Sequence, residues 1–226
     1  MESSIQRILL QVISTAFCVI VVMSNIISAK MIQMPFMPNF VIPAGLITYP
    51  LTFLLSDLVT EFYGAKKAKL MVYIALGMSL LSFGIIQLAL MLPESIPGSQ
   101  TAFQEVLGLS GLRIFSSLAA YLVAQIVDIQ IYAKIKSWTG TRFLWLRNNG
   151  SVWISQGVDT VIIDIVYLYW GLGMSWADVA PIMALSLIYK SAFSVVNTPV
   201  LYLCVYLVKR VWDSPETLQN PIKCTA

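Results

Sequence analysis

The chain alternates long apolar runs with short polar connections. A helix needs about 20 mostly apolar residues to cross the hydrocarbon core of a bilayer. Six runs have that length, and they cover residues 8–29, 41–63, 70–92, 112–133, 152–171 and 179–208. The pattern predicts an all-α, polytopic membrane protein with six transmembrane helices in one domain over residues 1–226. The first run exceeds the roughly 7–15 residues of a signal-peptide core, so we expect it to be retained.

Composition and charge support a membrane protein and indicate its orientation. Charged residues make up 11% of the 226 residues, whereas soluble domains carry about 25%. Cytoplasmic connections carry the Lys and Arg excess. One side collects Arg7, Lys66, Lys67, Lys69, Lys134, Lys136, Arg142, Arg147, Lys209, Arg210 and Lys223, and the other has Lys30 and Arg113. We therefore expect both termini in the cytoplasm, no nucleic-acid partner, and a long outer loop at 93–110 with a short helix at Phe103–Leu107.

Prolines and polar residues interrupt two of the six runs. The second run contains Pro43, Gly45 and Pro50, and the sixth contains Asn197 and Pro199. A proline inside a helix removes one backbone donor and kinks or breaks the chain. Paired interruptions in the two halves of a transporter point to a binding site near the middle of the membrane. Ordinary packing kinks explain the prolines equally well from sequence alone.

Ionisable side chains lie within the apolar runs, where each costs about 2.5–3.5 kcal/mol at a helix centre. They are Asp57, Asp128, Asp159, Asp164 and Lys190, with Glu61 closer to the cytoplasmic interface. We expect these side chains to face the bundle interior, as charge pairs between helices or as groups that bind a solute, a cation or protons. One lysine cannot neutralise four aspartates, so pairing alone leaves a surplus of negative charge.

A Gln-x-x-Asp pattern occurs twice, at Gln125 with Asp128 and at Gln156 with Asp159. Residues three apart share one helix face. The fourth and fifth spans run in opposite directions, so Gln125 is expected level with Asp159, and Asp128 level with Gln156. The four groups form either a polar clamp between helices, at about 0.6–2 kcal/mol for each bond, or part of a binding pocket.

An amide beside a carboxylate matches a guanine-like edge, in which N–H groups donate to the carboxylate and a carbonyl accepts from the amide. Binding pockets add aromatic faces to such polar groups. The rings available nearby are Phe53, Tyr121, Trp153, Tyr167 and Tyr189, and Trp153 is included in the expected site. For each ring taken singly, lipid contact or core packing is the simpler explanation.

Several kinds of site are not expected in this sequence. It has no histidine, and Cys18, Cys204 and Cys224 lack paired spacing, so we expect no metal site, cofactor or disulfide framework. No G-x-x-x-x-G-K-[ST] loop occurs, so any use of ATP requires a partner. An intramembrane enzyme with two aspartates as acid and base is disfavoured, because histidine and a G-x-S-x-G motif are both missing.

Four stretches of the chain resemble the vitamin uptake transporter family, which is associated with queuosine precursors. They are SNIISAK (24–30), PAGLITYPLTFLLSDLVTEFYG (43–64), LRIFSSLAAYLVAQIVD (112–128) and LWLRNNGSVWISQGVDT (144–160). The resemblance implies a multi-pass carrier of the bacterial inner membrane that imports 7-deazaguanine bases such as preQ0, preQ1 or queuine. It implies signature positions at Asn25, Asp57, Glu61, Gln125, Asp128, Arg147, Asn148, Gln156 and Asp159. A substrate-capture subunit of an ATP-driven uptake complex is the alternative.

Three further expectations concern charge and assembly. Asp164 departs from the family pattern, where an apolar residue is expected, and either tunes substrate choice or pairs with Lys190. The surplus of aspartate favours a base with a protonated amine over the neutral nitrile. Gly77 and Gly84 lie seven apart in the third run, so we expect a close helix contact there, within the chain or in a homodimer.

Overall fold

The computed structural model describes residues 4–34, 37–93, 98, 101–108, 111–140 and 142–212. Within these ranges the chain forms seven α-helices: α1 (Ser4–Ile27), α2 (Tyr49–Tyr63), α3 (Ala65–Met91), α4 (Thr101–Leu107), α5 (Gly111–Thr139), α6 (Leu144–Ile163) and α7 (Trp176–Trp212). A short antiparallel hairpin, β1 (Met31–Met34) with β2 (Met37–Pro43), follows α1. A 3-10 helix (Ala44–Ile47) leads into α2, and a π-helix (Asp164–Gly171) extends α6. The predicted all-α class and the short helix in the 93–110 segment are confirmed.

The outer faces of the long helices are apolar and exposed, as a bilayer requires. On α3, Ile85, Leu88 and Met91 are between 58% and 78% exposed, and Val196 and Leu203 lie in the same way on α7. Soluble monomers rarely expose such continuous apolar surface to water. Five described helices are long and apolar enough to cross a bilayer: α1, α3, α5, α6 with its π-helix, and α7. The chain is a multi-pass membrane protein.

The second predicted span begins as a strand rather than as a helix. Its first residues belong to β2, the 3-10 helix follows, and the α-helix starts only at Tyr49, with Pro50 in its first turn. Proline fits there because its missing N–H has no helical acceptor to lose. The prediction of a broken helix is confirmed, whereas the predicted start at residue 41 is wrong.

The length of α2 bears on the number of spans. Its 15 residues cover about 22 Å at the usual rise of an α-helix, which is less than the ~30 Å of a hydrocarbon core. The helix is nonetheless central, because eight of its residues are buried and it packs against α1, α3, α5 and α7. The predicted count of six spans stays a prediction.

The sixth predicted span is continuous. The α7 helix runs unbroken through Pro181 and Pro199, so the predicted interruption at Asn197 and Pro199 is wrong. The Asn197 side chain instead donates to the Pro50 carbonyl oxygen at 3.2 Å. The two proline-containing regions are therefore in direct contact.

The irregular segment of the second half lies at the end of the fifth span. There the backbone N–H of Leu172 donates to the Tyr167 carbonyl oxygen at 2.9 Å, five residues back. Such π-helical turns occur frequently at functional sites. Asp164 is the first residue of this segment, so the change of helix type coincides with a buried carboxyl group.

Three helices extend five or more residues past the predicted spans at their polar ends. The α3 helix begins at 65 rather than 70, α5 ends at 139 rather than 133, and α6 begins at 144 rather than 152. Lysine, arginine and asparagine end the apolar runs at these points, yet lysine and arginine favour helical backbone. Hydropathy therefore marks the apolar part of each helix and misses its polar extension.

Gly77 and Gly84 do not mediate a helix contact within the chain. Both are exposed on α3, and a Cβ atom added to either would meet no other atom within 4 Å. A contact between two copies of the chain stays a prediction.

Candidate functional site

A cavity of about 170 Å³, lined by both apolar and polar side chains, lies between α1, α2, α5, α6 and α7. A single water molecule needs only about 10–15 Å³, so this space is large enough for a small solute or a cluster of waters. Its polar lining comprises Ser24, Asn25, Ser28, Tyr49, Thr52, Tyr121, Asp159, Thr160, Asp164, Ser186 and Lys190. Four residues that the sequence predicted as binding or charged groups thus share one cavity: Asn25, Asp159, Asp164 and Lys190.

Asp159 forms the centre of a bonded group of three side chains at the cavity wall, which we call the Tyr49–Asp159–Lys190 triad. The Tyr49 hydroxyl donates to Asp159 Oδ1 at 2.7 Å, and Lys190 Nζ donates to Oδ2 at 2.7 Å. Lys190 also donates to Thr160 Oγ1 at 3.0 Å and lies 5.5 Å from the centre of the Tyr49 ring. A buried charge is tolerated when it is paired and hydrogen-bonded, and both oxygens of Asp159 meet that condition.

Asp164 lines the same cavity without such a partner. It is 6% exposed, and its Oδ2 atom accepts no hydrogen bond from the described residues. The Lys190 ammonium pairs with Asp159 instead. Since buried polar atoms are almost always hydrogen-bonded, the free oxygen of Asp164 calls for a donor that comes from the cavity.

The turn before α2 is fixed to α1 beside the cavity. The hydroxyl groups of Ser24 and Thr48 are 2.5 Å apart, so one of them donates to the other. The hydroxyl that accepts this bond can donate to a backbone carbonyl oxygen, which is that of Ile20 for Ser24 or that of Gly45 for Thr48. These bonds hold the start of α2 against the α1 segment that carries Asn25. The position of Tyr49 at the cavity wall therefore depends on α1 as well as on α2.

A smaller pocket of about 20 Å³ lies behind the triad and shares Tyr49 and Lys190 with the cavity. It is lined by the amides of Asn148, Gln156 and Asn197 and by four aromatic rings, Tyr49, Phe53, Tyr189 and Phe193. The Oε1 atom of Gln156 has no hydrogen-bond partner there. Tyr49 and Lys190 of the triad thus line both spaces, whereas Asp159 lines the cavity alone.

The two Gln-x-x-Asp motifs do not bond directly to each other. Ser155 donates to Asp128 Oδ1 at 3.1 Å, and Gln125 Nε2 donates to Thr52 Oγ1 at 3.4 Å. Ser155 precedes Gln156, so Asp128 does lie close to the expected level on α6. Three polar residues are fully buried behind the cavity wall: Asp57, Gln125 and Asp128. In contrast, Asp159 lines the cavity and Gln156 lines the smaller pocket.

Glu61 lies in a cluster of basic groups at one end of the bundle. Arg147 Nη2 donates to Glu61 Oε1 at 2.9 Å, Tyr132 donates to Oε2 at 3.0 Å, and Lys136 contacts Oε2 at 3.4 Å. At the same end, the Tyr63 hydroxyl joins α2 to the start of α1 through the Gln6 carbonyl oxygen. Glu61 forms ion pairs with Arg147 and Lys136, and Lys190 forms one with Asp159 rather than with Asp164.

Comparisons with known proteins agree with a transport site. The family described as “Putative vitamin uptake transporter” matches residues 43–204, which include every lining residue of α2, α5, α6 and α7. The chain belongs to this family. A Bacillus subtilis protein named “Probable queuosine precursor transporter” is 32% identical over 70% of this chain and 69% of its own length. A Haemophilus influenzae protein of the same name is 24% identical over 55% of this chain, and the match covers 51% of the length of that relative. No solved structure matches the chain.

Membership of a vitamin uptake transporter family gives the cavity a class of function. The family and the two relatives are named as transporters rather than enzymes. The matched range begins after Asn25, which leaves the contribution of α1 to the cavity outside the family match.

The expected site and the structure differ at Trp153 and at Tyr49. Trp153 is 49% exposed and lines neither the cavity nor the smaller pocket, because it lies on the outer face of α6. Tyr49 was not among the expected site residues, although it contacts both spaces. A signal was present in the sequence, since a tyrosine directly before Pro50 lies in the first turn of a helix that begins there.

Proposed function

We propose that this chain imports a queuosine precursor, a 7-deazaguanine base, across a bacterial inner membrane through the polar cavity. The names of the two relatives support the class of cargo. The observation that carries the proposal is the free, buried Oδ2 atom of Asp164 in a cavity of about 170 Å³. An unsatisfied carboxyl oxygen gains most from a solute that offers N–H groups.

A 7-deazaguanine edge suits this donor and acceptor set. Its ring and exocyclic N–H groups donate, which matches the Asp164 carboxylate, and its carbonyl accepts, which matches the amide of Asn25. The rings of Tyr49 and Tyr121 line the same cavity and offer flat apolar faces to a planar base. The cavity therefore combines one acceptor, one amide and two aromatic faces.

The triad gives the proposed path a narrow point. Tyr49 and Lys190 line both the cavity and the smaller pocket, and both donate to Asp159 at 2.7 Å. A base that passes from one space to the other has to displace these bonds. Gln156, with its free Oε1 atom, then offers an acceptor on the far side.

The direction of transport follows from the proposed orientation. Basic side chains collect at the end of the bundle where α2 meets α5 and α6, and cytoplasmic connections carry the basic excess. The cavity lies toward the opposite end, beside the start of α2 and the end of α1. In this orientation the base enters the cavity from outside and leaves at the basic end.

The test is restoration of queuosine in tRNA in a strain that cannot make it, with preQ0, preQ1 and queuine supplied separately. A hydrogen bond to a charged group contributes about 1.5–3 kcal/mol, so Asp164→Asn and Asp159→Asn should each lower initial uptake about tenfold or more. Because no lysine or arginine of the described residues forms an ion pair with Asp164, preQ1 should lose more than neutral preQ0 in Asp164→Asn.

The matched control is Asp178→Asn, the same substitution at an exposed aspartate in the first turn of α7. It should leave uptake unchanged. Uptake at the original rate in both Asp159→Asn and Asp164→Asn would show that the cavity is not the path of the base.

A further inference from the structure

A second feature lies outside the cavity and the smaller pocket, in the packed interior of the bundle. The carboxyl groups of Asp57 on α2 and Asp128 on α5 face each other, and both residues are 0% exposed. Neither lines the cavity or the smaller pocket. No N–H or O–H group of the described residues donates to Asp57, and Asp128 accepts from Ser155 at Oδ1, while its Oδ2 has no partner. Three of the four carboxyl oxygens thus lack a donor.

A hydrogen bond between two carboxyl groups requires a proton on one of them. Two ionised carboxylates in contact repel each other, and this repulsion is strongest in a buried, weakly polar environment. A metal cation is a poor alternative, because Ca²⁺ takes six to eight oxygen ligands and even Mg²⁺ needs about six. Here only the Ser155 hydroxyl, and the neighbouring Ser151 hydroxyl, lie beside the pair.

Charged groups face the pair from three helices. Asp57 is faced by Asp128 on α5, by Glu61 on its own helix and by Arg147 on α6. Glu61 and Arg147 are already bonded to each other at 2.9 Å. The Arg147 charge is therefore engaged with another carboxylate, and the pair is left to share a proton.

Polar side chains connect the pair to both ends of the bundle. Toward the cavity, Gln125 shares the helix face of Asp128 three residues away and donates to Thr52, which lines the cavity. Toward the basic end, Glu61 lies four residues after Asp57 on the same face of α2. These polar groups form a row that begins at the cavity and ends at Arg147 and Lys136. The row lies beside the proposed substrate path.

We propose that the Asp57–Asp128 pair binds one proton and exchanges it in each transport cycle, so that the chain is a proton-coupled carrier. The proton enters from the cavity side, is held between the two carboxyl groups, and leaves past Glu61 at the basic end. No bond other than O–H is made or broken, and the net movement is one proton with one base. This inference rests on the proposed function for the coupling, but not for the proton site itself.

The coupling is tested with purified protein in proteoliposomes that contain a pH-sensitive dye. Labelled preQ0 is the probe because it is neutral, so acidification reports protons that the protein moves. Wild type should accumulate preQ0 under an inward proton gradient and acidify the vesicles when preQ0 is added. Asp57→Asn and Asp128→Asn should retain exchange of preQ0 between the two sides and lose both accumulation and acidification. Asp178→Asn should behave as wild type.

The proton site is tested separately by infrared spectroscopy of the purified protein near neutral pH. A protonated carboxyl group has a C=O stretching band that a carboxylate lacks. Wild type and Asp178→Asn should show this band, and both Asp57→Asn and Asp128→Asn should lose it. The measurement needs no transport, so it remains decisive for the site if preQ0 is not carried and the proposed function fails.

Three results would overturn the inference. One is the absence of the band from wild type, and another is transport of preQ0 by wild type without proton movement. The third is loss of exchange together with accumulation in both folded asparagine variants, which would place the pair in the substrate path.

Discussion

At the scale of single residues, Arg147 is the side chain on which the basic end of the bundle depends. It is 2% exposed. Its Nη1 atom donates to the carbonyl oxygens of Gly140 and Arg142 at 2.6 and 3.2 Å, and Nη2 donates to Glu61 at 2.9 Å. The guanidinium also lies 5.8 Å from the centre of the Tyr132 ring. One residue therefore joins α6 to α2, to α5 and to the turn between α5 and α6.

We expect Arg147→Met to destabilise the protein strongly. Removing one partner of a buried ion pair costs about 3–5 kcal/mol, and Lys136 and Tyr132 remain beside Glu61 to limit the loss to the lower part of that range. Thermal unfolding in detergent should shift by about 2–4 °C for each kcal/mol. Arg147→Lys should also destabilise, because lysine lacks the planar fork that reaches both carbonyl groups.

The control for Arg147 is Arg210→Met, since Arg210 is exposed at the end of α7. The double variant Glu61→Gln with Arg147→Met should be less destabilised than the sum of the two single variants, because both charges are then removed together. Additive losses would mean that the pair contributes no coupling energy.

At the scale of elements, the 3-10 helix before α2 is packed unusually close to α1. A Cβ atom added at Gly45 would collide with Ser28 Oγ and with the Ser24 carbonyl oxygen. The Ser24–Thr48 contact joins the same two elements. Glycine at position 45 therefore lets the chain between β2 and α2 approach α1 and brings Tyr49 to the cavity.

Gly45→Ala should weaken both the fold and transport. Forcing an extra methyl group into a packed site costs about 1–3 kcal/mol, and a shift of the 3-10 helix would move Tyr49 away from Asp159. Unfolding temperature and uptake of the base would be measured together. Gly77→Ala is the matched control, because that position has open space and alanine favours the helix by about 1 kcal/mol. Equal behaviour of the two variants would contradict this account of Gly45.

The π-helix is the second element that affects the site. It begins at Asp164, directly after the α-helix that carries Gln156 and Asp159. In a π-helix each backbone N–H donates to the carbonyl oxygen five residues earlier, instead of four as in an α-helix. The side chains that follow are therefore rotated about the helix axis compared with a continued α-helix. The helical pattern of the sequence does not reveal this change, because the apolar run continues through it.

At the scale of the whole molecule, the distribution of basic residues predicts the orientation in the membrane. Arg147, Lys136 and the start of α3 lie together at one end, while Lys30 lies after α1 at the other. Moving the basic end across the membrane would place its lysines and arginines outside, against the usual distribution. The carrier should therefore have one fixed orientation.

Cysteine labelling in intact cells tests this orientation. The three native cysteines are first replaced by serine, and single cysteines are then introduced at Lys30 and at Lys66, which are both exposed. A maleimide that cannot cross membranes should label Lys30→Cys in intact cells, and Lys66→Cys only after the cells are permeabilised. The opposite pattern would reverse the proposed direction of import.

The sequence by itself determined the class of the protein, the long helices and the set of polar residues inside them. These properties are local, because backbone groups in hydrocarbon must bond within their own segment, which favours a helix along an apolar run of bilayer length. The same is true of the basic residues at one end. The sequence could not locate the start of α2 or the polar extensions of α3, α5 and α6, since hydropathy does not distinguish a polar helix end from a loop.

Only the tertiary structure decided which polar residues meet. Asp159 pairs with Lys190 31 positions away and with Tyr49 110 positions away, while Asp128 meets Asp57 rather than the second motif. Helical periodicity fixes the face of a helix on which a side chain lies, but not the rotation and height of that helix against its neighbours. The rotation and height of each helix follow from packing across the bundle. This packing decides which carboxyl groups line the cavity and which lie buried behind it.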